Sequence, residues 1–325
     1  MPNAVAAAMD FDRVTRAREL LRGVASVSRM VTARSLEAET GATVLLKLEC
    51  EQPTGSFKVR GAYYTLLQRL QRGDLRGAVT SSTGNHGAAV AYAARLLGIP
   101  ARIFLPVEPN PAKRAVIAQY RAEIVEAGAF LEKTREHAAH FARASGWWDI
   151  VDGVEPDLTV GTATIGCEIA EQMPAVDVIF VPVGDSTLIR GVARAAKHLR
   201  PQVRIIGVQA ERAPAYVQSF REKRAISTQS SDTIADGLAV RESSESNVRE
   251  ILALVDEMQL VSDEDILRAV RYLLLTEHIV TEPAGAATTA ALWNTGRRLA
   301  GKNVVNLVTG ANISDETLAS AMATR

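Results

Sequence analysis

The chain is poor in cysteine, has no charge of one sign in excess and contains no long apolar run. Cysteine occurs twice in 325 residues, as Cys50 and Cys167. Two thiols cannot build a disulfide scaffold, and neither stands at metal-ligand spacing. Cys167 lies in an apolar, helix-like stretch and reads as a small core residue. Thirty-seven Lys and Arg face 37 Asp and Glu, which leaves no basic excess for gripping nucleic acid. Runs such as Arg221-Glu222-Lys223-Arg224 are short and mixed in sign. No apolar run nears the ~20 residues of a membrane span. The N-terminal stretch Met1–Asp10 lacks a basic region and meets Asp10 too early for a signal peptide. The expected setting is the cytoplasm, with no nucleic-acid or membrane partner. No strand-like run is followed by Gly-x-Gly-x-x-Gly, which excludes a nicotinamide-dinucleotide enzyme.

What remains is an ordinary globular composition, 47% hydrophobic. The length predicts two domains or one large unit at ~100–200 residues per domain. Short apolar runs alternate with longer amphipathic ones. Strands are expected at 44–48, 78–82, 102–105, 177–181, 204–208 and 303–308, and helices at 57–70, 88–97, 112–127, 188–199 and 263–275. Residues 225–247, polar and rich in Ser, read as surface loops. Strictly alternating strands and helices predict an α/β protein with a parallel, doubly wound sheet. Ligands bind such sheets at the carboxyl ends of the strands, so the residues after each strand carry the functional reading.

After the first of these strands, Glu51-Gln52-Pro53-Thr54-Gly55-Ser56-Phe57-Lys58 turns into a helix that Ser56 could cap. Lys58 then falls in the first helical turn, where the macrodipole disfavours a cation. It is either a solvated surface lysine or an amine tuned for Schiff-base chemistry. After the next strand, Ser82-Thr83-Gly84-Asn85-His86-Gly87 leaves backbone N–H groups free at a helix start. That is a carboxylate or phosphate site, or a plain strand-to-helix turn. Gly184-Asp185-Ser186-Thr187-Leu188 is a third small-residue loop opening a helix, and Thr309-Gly310-Ala311-Asn312 follows the last strand. His137 and His140, three apart on a helical stretch, have no third ligand nearby and read as a surface pair.

The four loops in this order resemble the pyridoxal-phosphate enzymes of the tryptophan synthase β fold, and among them the threonine/serine dehydratase and serine racemase branch. Thr233-Ile234-Ala235-Asp236-Gly237 and Glu282-Pro283-Ala284-Gly285 extend the resemblance from about Arg29 onward. It implies two doubly wound parallel-sheet domains: a large one from 1–77 and 151–325, and a small mobile one, 78–150, inserted in it, with Trp147 and Trp148 at the junction. It also implies that Lys58 forms the Schiff base with pyridoxal 5'-phosphate and later acts as base. Phe57, Asn85, Gly184, Asp185, Ser186, Thr187, Leu188, Gly237, Glu282 and Thr309 would contact the cofactor. Ser82, Thr83, Gly84, Asn85 and His86 would hold the substrate, with Thr83 also placed for acid–base work. The substrate would be a hydroxy amino acid that loses its β-hydroxyl by α,β-elimination to give a 2-keto acid and ammonia. A homodimer or larger homo-oligomer is implied, and no regulatory domain is expected after Thr309.

The chain departs from that pattern in places. Asp185-Ser186-Thr187 stands where relatives have glycines, so Asp185 is expected to face outward or meet a cation, with Arg190 compensating its charge. The run Asp-Ser-Thr-Leu-Ile-Arg-Gly is also similar to hydroxyectoine-utilisation dehydratases, which implies a substrate derived from a compatible solute. Val160-Gly161-Thr162-Ala163-Thr164 is expected to replace a glycine-richer loop and to alter the pocket wall. Gln209 and Ala215 occupy the positions of the racemases' acidic metal site, so no metal is expected.

Overall fold

The computed structural model describes residues 10–109 and 111–324, with backbone alone at 111–113. The N-terminal stretch before Asp10 therefore lies outside the described residues. Helix α1 (Phe11–Leu20) starts on an Asp10 cap; β1 (Met30–Thr32), α2 (Arg34–Thr40) and β2 (Thr43–Leu48) follow. A 3-10 turn, Glu49–Glu51, leads to α3 (Lys58–Arg72). Next come β3 (Ala78–Ser81), α4 (Asn85–Leu97), β4 (Ala101–Leu105), α5 (Pro111–Ala118), β5 (Glu123–Glu126), α6 (Leu131–Ser145) and β6 (Trp148–Asp149). The remainder alternates α7 (Pro156–Gln172), β7 (Val178–Pro182), α8 (Thr187–Leu199), β8 (Arg204–Ala210), α9 (Ala215–Glu222) and α10 (Glu245–Leu254). It closes with β9 (Glu257–Val261), α11 (Asp263–Leu275), α12 (Pro283–Thr295), β10 (Asn303–Val308) and α13 (Asp315–Ala323).

Two sheets form. The larger has the order β1-β2-β10-β7-β8-β9 and is parallel except for the antiparallel edge strand β1. The smaller, β5-β4-β3-β6, is wholly parallel and uses residues 78–149. Every residue of β7 is buried, because helices cover both sheet faces. The order places β2, β10 and β7 side by side. Their carboxyl ends lead into the Lys58, Thr309 and Gly184 loops, so three segments far apart in sequence emerge at one edge.

Helix α7 sets the distance between two of those loops. Residues 157–170 of it are all buried, and it packs between α3 and α8 through glycines. A Cβ on Gly161 would lie 2.6 Å from Arg60 O, and one on Gly191 would lie 2.6 Å from Thr159 O. Val160–Thr164 is thus the interior of a helix, not a loop in the pocket wall as expected from the sequence. The helix starts there because Glu155 caps it through Asp157 N and Pro156 occupies its first turn.

Other elements also differ from expectation. The helix expected at 112–127 ends at Ala118; Arg121 takes a positive φ of 63° and the chain enters β5. Glu123-Ile124-Val125-Glu126 is a four-residue edge strand with two β-branched residues at its centre and no alternation, and the run of helix formers before it obscures it. Strands β1, β6 and β9 and helix α12 were not anticipated. Helix α12 is apolar all round and shows no face. Residues 225–247 are mostly loop, with a Ser227–Glu242 bridge, a 3-10 turn at Asp236–Leu238 and the start of α10. Among the described residues, no helix is long and apolar enough to cross a membrane.

Replacing Gly161 by Ala pushes a methyl into the α3 backbone. The expected loss is about 1–3 kcal/mol, measured by urea denaturation, whereas Gly73→Ala, at the exposed end of α3 with nothing within 4 Å, tests the backbone strain of a positive φ alone.

Candidate active site

The first turn of α3 is held by a buried ionic cluster. Arg60, 1% exposed, donates to both oxygens of Glu49 at 2.8 Å and to Glu168 at 2.6 and 3.1 Å. It also reaches Thr164 Oγ1 and Ser26 O. Lys47, fully buried in β2, donates to Glu168 at 2.6 Å and to Ser28 O and Gln172. Burial opposes ionisation of Glu168, but the Arg60 and Lys47 cations outweigh it and keep the carboxyl below its usual range. Burial pulls Lys47 down, more than its two glutamates raise it. This cluster ties β2, the turn after it, α3 and α7 together two residues from Lys58.

Ser56 does not cap α3. The helix begins on Phe57 with no side-chain cap, and Ser56 Oγ is buried without a partner. Ser56 instead bridges to Gly310, Phe57 N donates to Thr309 O, and Ala311 N donates to Gly55 O. The Lys58 and Thr309 loops are therefore stitched through their backbones. Lys58 Nζ lies 4.9 Å from the centre of the Phe57 ring and pairs with Asp152.

Asp152 is a site residue that the sequence reading missed. It follows β6, whose two residues are too few to give a strand signal in the sequence. Its carboxylate also accepts from Thr187 Oγ1 at 2.8 Å and Gly153 N at 3.0 Å. Burial alone would raise this carboxyl; Lys58, His86 and the hydrogen bonds outweigh burial and hold it below the ordinary range.

Thr187 opens α8. Ser186 before it has a positive φ of 68°, and its hydroxyl turns toward Tyr216 Oη at 3.4 Å. The 13-residue helix α8 therefore has no side-chain cap, and its first-turn N–H groups are open to an anion. Gly184 presses on the Asp236–Leu238 turn; a Cβ there would sit 2.2 Å from Gly237 O. Asp185 does not meet a cation within 4 Å among the described residues. It is half-buried, and burial first, then the Asp152 carboxylate, raises it to about 6. Arg190, expected to offset its charge, pairs with Glu250 at 3.3 Å and donates to Gly153 O at 3.1 Å.

The second sheet supplies the facing loop. Helix α4 starts on Gly84 with no side-chain cap and open space beyond it. Ser82 Oγ accepts from Gly84 N at 3.3 Å, and Thr83 stands half-buried between them. Asn85 donates to Glu282 at 2.6 Å and accepts from Asn312 at 2.6 Å; Asn312 also donates to Thr54 O. Asn312 thereby links three loops, a role that its place in the Thr309–Asn312 run does not signal. His86 turns its Nε2 to Ile150 O at 2.9 Å and leaves Nδ1 buried and unpartnered. Burial lowers the imidazole more than Asp152 raises it.

The remaining candidates fall elsewhere. Gln209 donates to Val183 O and accepts from Val217 N, and no metal-ligating cluster occurs among the described residues. His137 and His140 are exposed on α6. Trp148 carries Arg69 of α3 on its ring at 3.4 Å and donates to Glu155, joining the small sheet to α3 and α7. Both cysteines are buried, and burial pushes Cys50 up to about 12 and Cys167 to about 11.

A family model described as pyridoxal-phosphate dependent enzyme matches residues 22–310, and the chain belongs to that family. L-threonine ammonia-lyase of Thermotoga maritima is 35% identical over 303 residues, 93% of this chain and 75% of that one. The processed form of threonine deaminase isoform 2 from Solanum lycopersicum superposes with a TM-score of 0.92 at 28% identity, covering 99% and 90% of the two chains. Maize serine racemase superposes at 0.90 with 29% identity and 97% coverage of both. The donor chemistry suits the cofactor: a lysine amine, an uncapped helix start beside a threonine hydroxyl, and a close cradle between Gly184 and Gly237.

Removing Arg60 leaves two buried carboxylates without their shared cation, so Arg60→Ala is expected to cost about 3–5 kcal/mol in urea denaturation. Asp185 gives a pH-dependent outcome. Its folded value lies above the ~3.9 of the unfolded chain, so its ionisation destabilises the fold above about pH 6 and not below about pH 4. Asp185→Asn is expected to stabilise the cofactor-free protein on the order of 2 kcal/mol at pH 8, with the gain gone at pH 4.

Proposed function

We propose that the chain is a pyridoxal-phosphate-dependent dehydratase that converts a β-hydroxy amino acid into a 2-keto acid and ammonia. The observation that carries this reading is a lysine amine in the first turn of α3, joined through Asp152 to Thr187 at the uncapped start of α8. Named relatives that are threonine ammonia-lyases or deaminases support the reaction class.

In this reading Lys58 bonds the cofactor, whose ring supplies the electron sink. The α8 start, with Gly184, Asp185, Ser186, Thr187 and Leu188, holds its phosphate. Phe57, Asn85, Gly237, Glu282 and Thr309 surround its ring. The N–H groups of Ser82 to His86 hold the substrate carboxylate, as an uncapped helix start is suited to do. Lys58 Nζ, once free, takes the Cα proton. The β-hydroxyl then leaves with a proton as water; one water returns as the C–N bond is hydrolysed, so the net products are the keto acid and ammonium. Thr309 is assigned to the ring nitrogen. A neutral hydroxyl stabilises a pyridinium less than a carboxylate would. A weak sink favours expelling a leaving group over holding a carbanion. The segment 78–150 is taken as an inserted domain that closes over substrate, and the assembly as a cytoplasmic homodimer or larger homo-oligomer.

The test is a panel of serine, threonine, hydroxyaspartate, phenylserine and hydroxy-diaminobutyrate, assayed for keto acid and for D-amino acid. Keto acid from one or more of them, lost in Lys58→Ala, is the expected result. D-amino acid without keto acid would replace the reading with a racemase.

A further inference from the structure

Lys58 does not stand alone, and the arrangement around its partner is more constrained than an incidental ion pair needs. Asp152 reaches Lys58 from a loop pinned on several sides. Gly153 O accepts from Arg190 at 3.1 Å and from Asn247 at 3.0 Å. Gly153 N donates to Asp152 Oδ1 and to Thr187 Oγ1, each at 3.0 Å. Gly153 has a φ of +78°, and a Cβ there would lie 2.9 Å from Asp185 O, so the loop fits only with glycine at that point. The Asp152 side chain is 11% exposed and the Lys58 side chain 20%. A carboxylate fixed this way presents one oxygen to Thr187 and the other to Lys58.

We infer that Asp152 is a positioning residue for Lys58: it aims the amine at the start of α8 and stabilises the ammonium that Lys58 becomes when it takes the Cα proton. The inference rests on Lys58 being the reactive lysine. One proton moves, from Cα to Nζ, and Asp152 gains none. The charge formed on the nitrogen meets an anion already in place, so no surrounding group must reorient during the step. The other charged or titratable groups facing this pair are His86 from α4, Asp185 from the loop after β7, Arg190 from α8 and Arg135 from α6. Of these, Arg190 is held by Glu250 and Gly153 O, and His86 by Ile150 O. Among the described residues, Asp152 is the charged group that pairs with the amine directly.

The test compares wild type with Asp152→Asn and Asp152→Glu. Cofactor-free protein is treated with trinitrobenzenesulfonate at pH 8, and modification of Lys58 is timed by peptide mass spectrometry. Loss of the carboxylate frees the amine from its counter-ion, and Asp152→Asn is expected to react about tenfold faster. Asp152→Glu, which keeps the charge, is expected to fall nearer to wild type. On loaded protein, the pH at which the visible band changes form is expected to move down in Asp152→Asn and to be restored in part by Asp152→Glu. Should Asp152→Asn not fold, Thr187→Val removes a bond to the same carboxylate and is expected to speed modification more weakly. Unchanged modification and spectra in every folded variant would overturn the inference. Borohydride reduction of loaded wild type separates the two ideas: no tag on Lys58 would remove the underlying reading, whereas a tag with unchanged variants would remove only the role of Asp152.

Discussion

A guanidinium buried between two carboxylates is the constraint on which this site depends. Arg60 engages Glu49 and Glu168 together, and Lys47 completes the charge balance from β2. Burying four ionised groups is costly unless each is paired and hydrogen-bonded. Here they are, and the cluster joins the strand before the site, the helix bearing Lys58 and the helix spacing it from α8. A lysine in a first helical turn works against the macrodipole. It stays where it is because Arg60, two residues on, cannot move.

The sheet order supplies the second condition. Since β2, β10 and β7 are neighbours, the loops of Lys58, Thr309 and Gly184 emerge together. The Ser56–Gly310 bridge and the Phe57 to Thr309 bond fix two of them backbone to backbone. The small sheet contributes the uncapped start of α4 and the Asn85 amide, which Glu282 and Asn312 orient. The uncapped starts of α4 and α8 suit a ligand with two anionic groups, a phosphate at one end and a carboxylate at the other.

Much of this is legible in the sequence. Near-continuous apolar runs such as Val178–Val181 marked buried parallel strands, and small-residue loops after strands marked the binding edge. What stayed hidden had no local signal. Arg60, Glu49, Glu168 and Lys47 are charged residues in amphipathic or strand patterns, and their burial follows only from the packing of α3 on α7. Asp152 was hidden by the brevity of β6. Val160–Thr164 matches a glycine-richer loop only by resemblance; its small residues instead serve the close packing of α7 on α3. The Ser56 cap failed because the chain there pairs with Gly310. The outward turn expected of Asp185 failed because the loop folds against Gly153, which leaves the carboxyl beside Asp152.

The central claim is that Lys58 is the residue bonded to the cofactor. Protein saturated with pyridoxal phosphate, reduced with borohydride and digested, tests it most directly. The account predicts a single pyridoxyl-tagged peptide, the one containing Lys58; a tag on another lysine, or none at all, would contradict it.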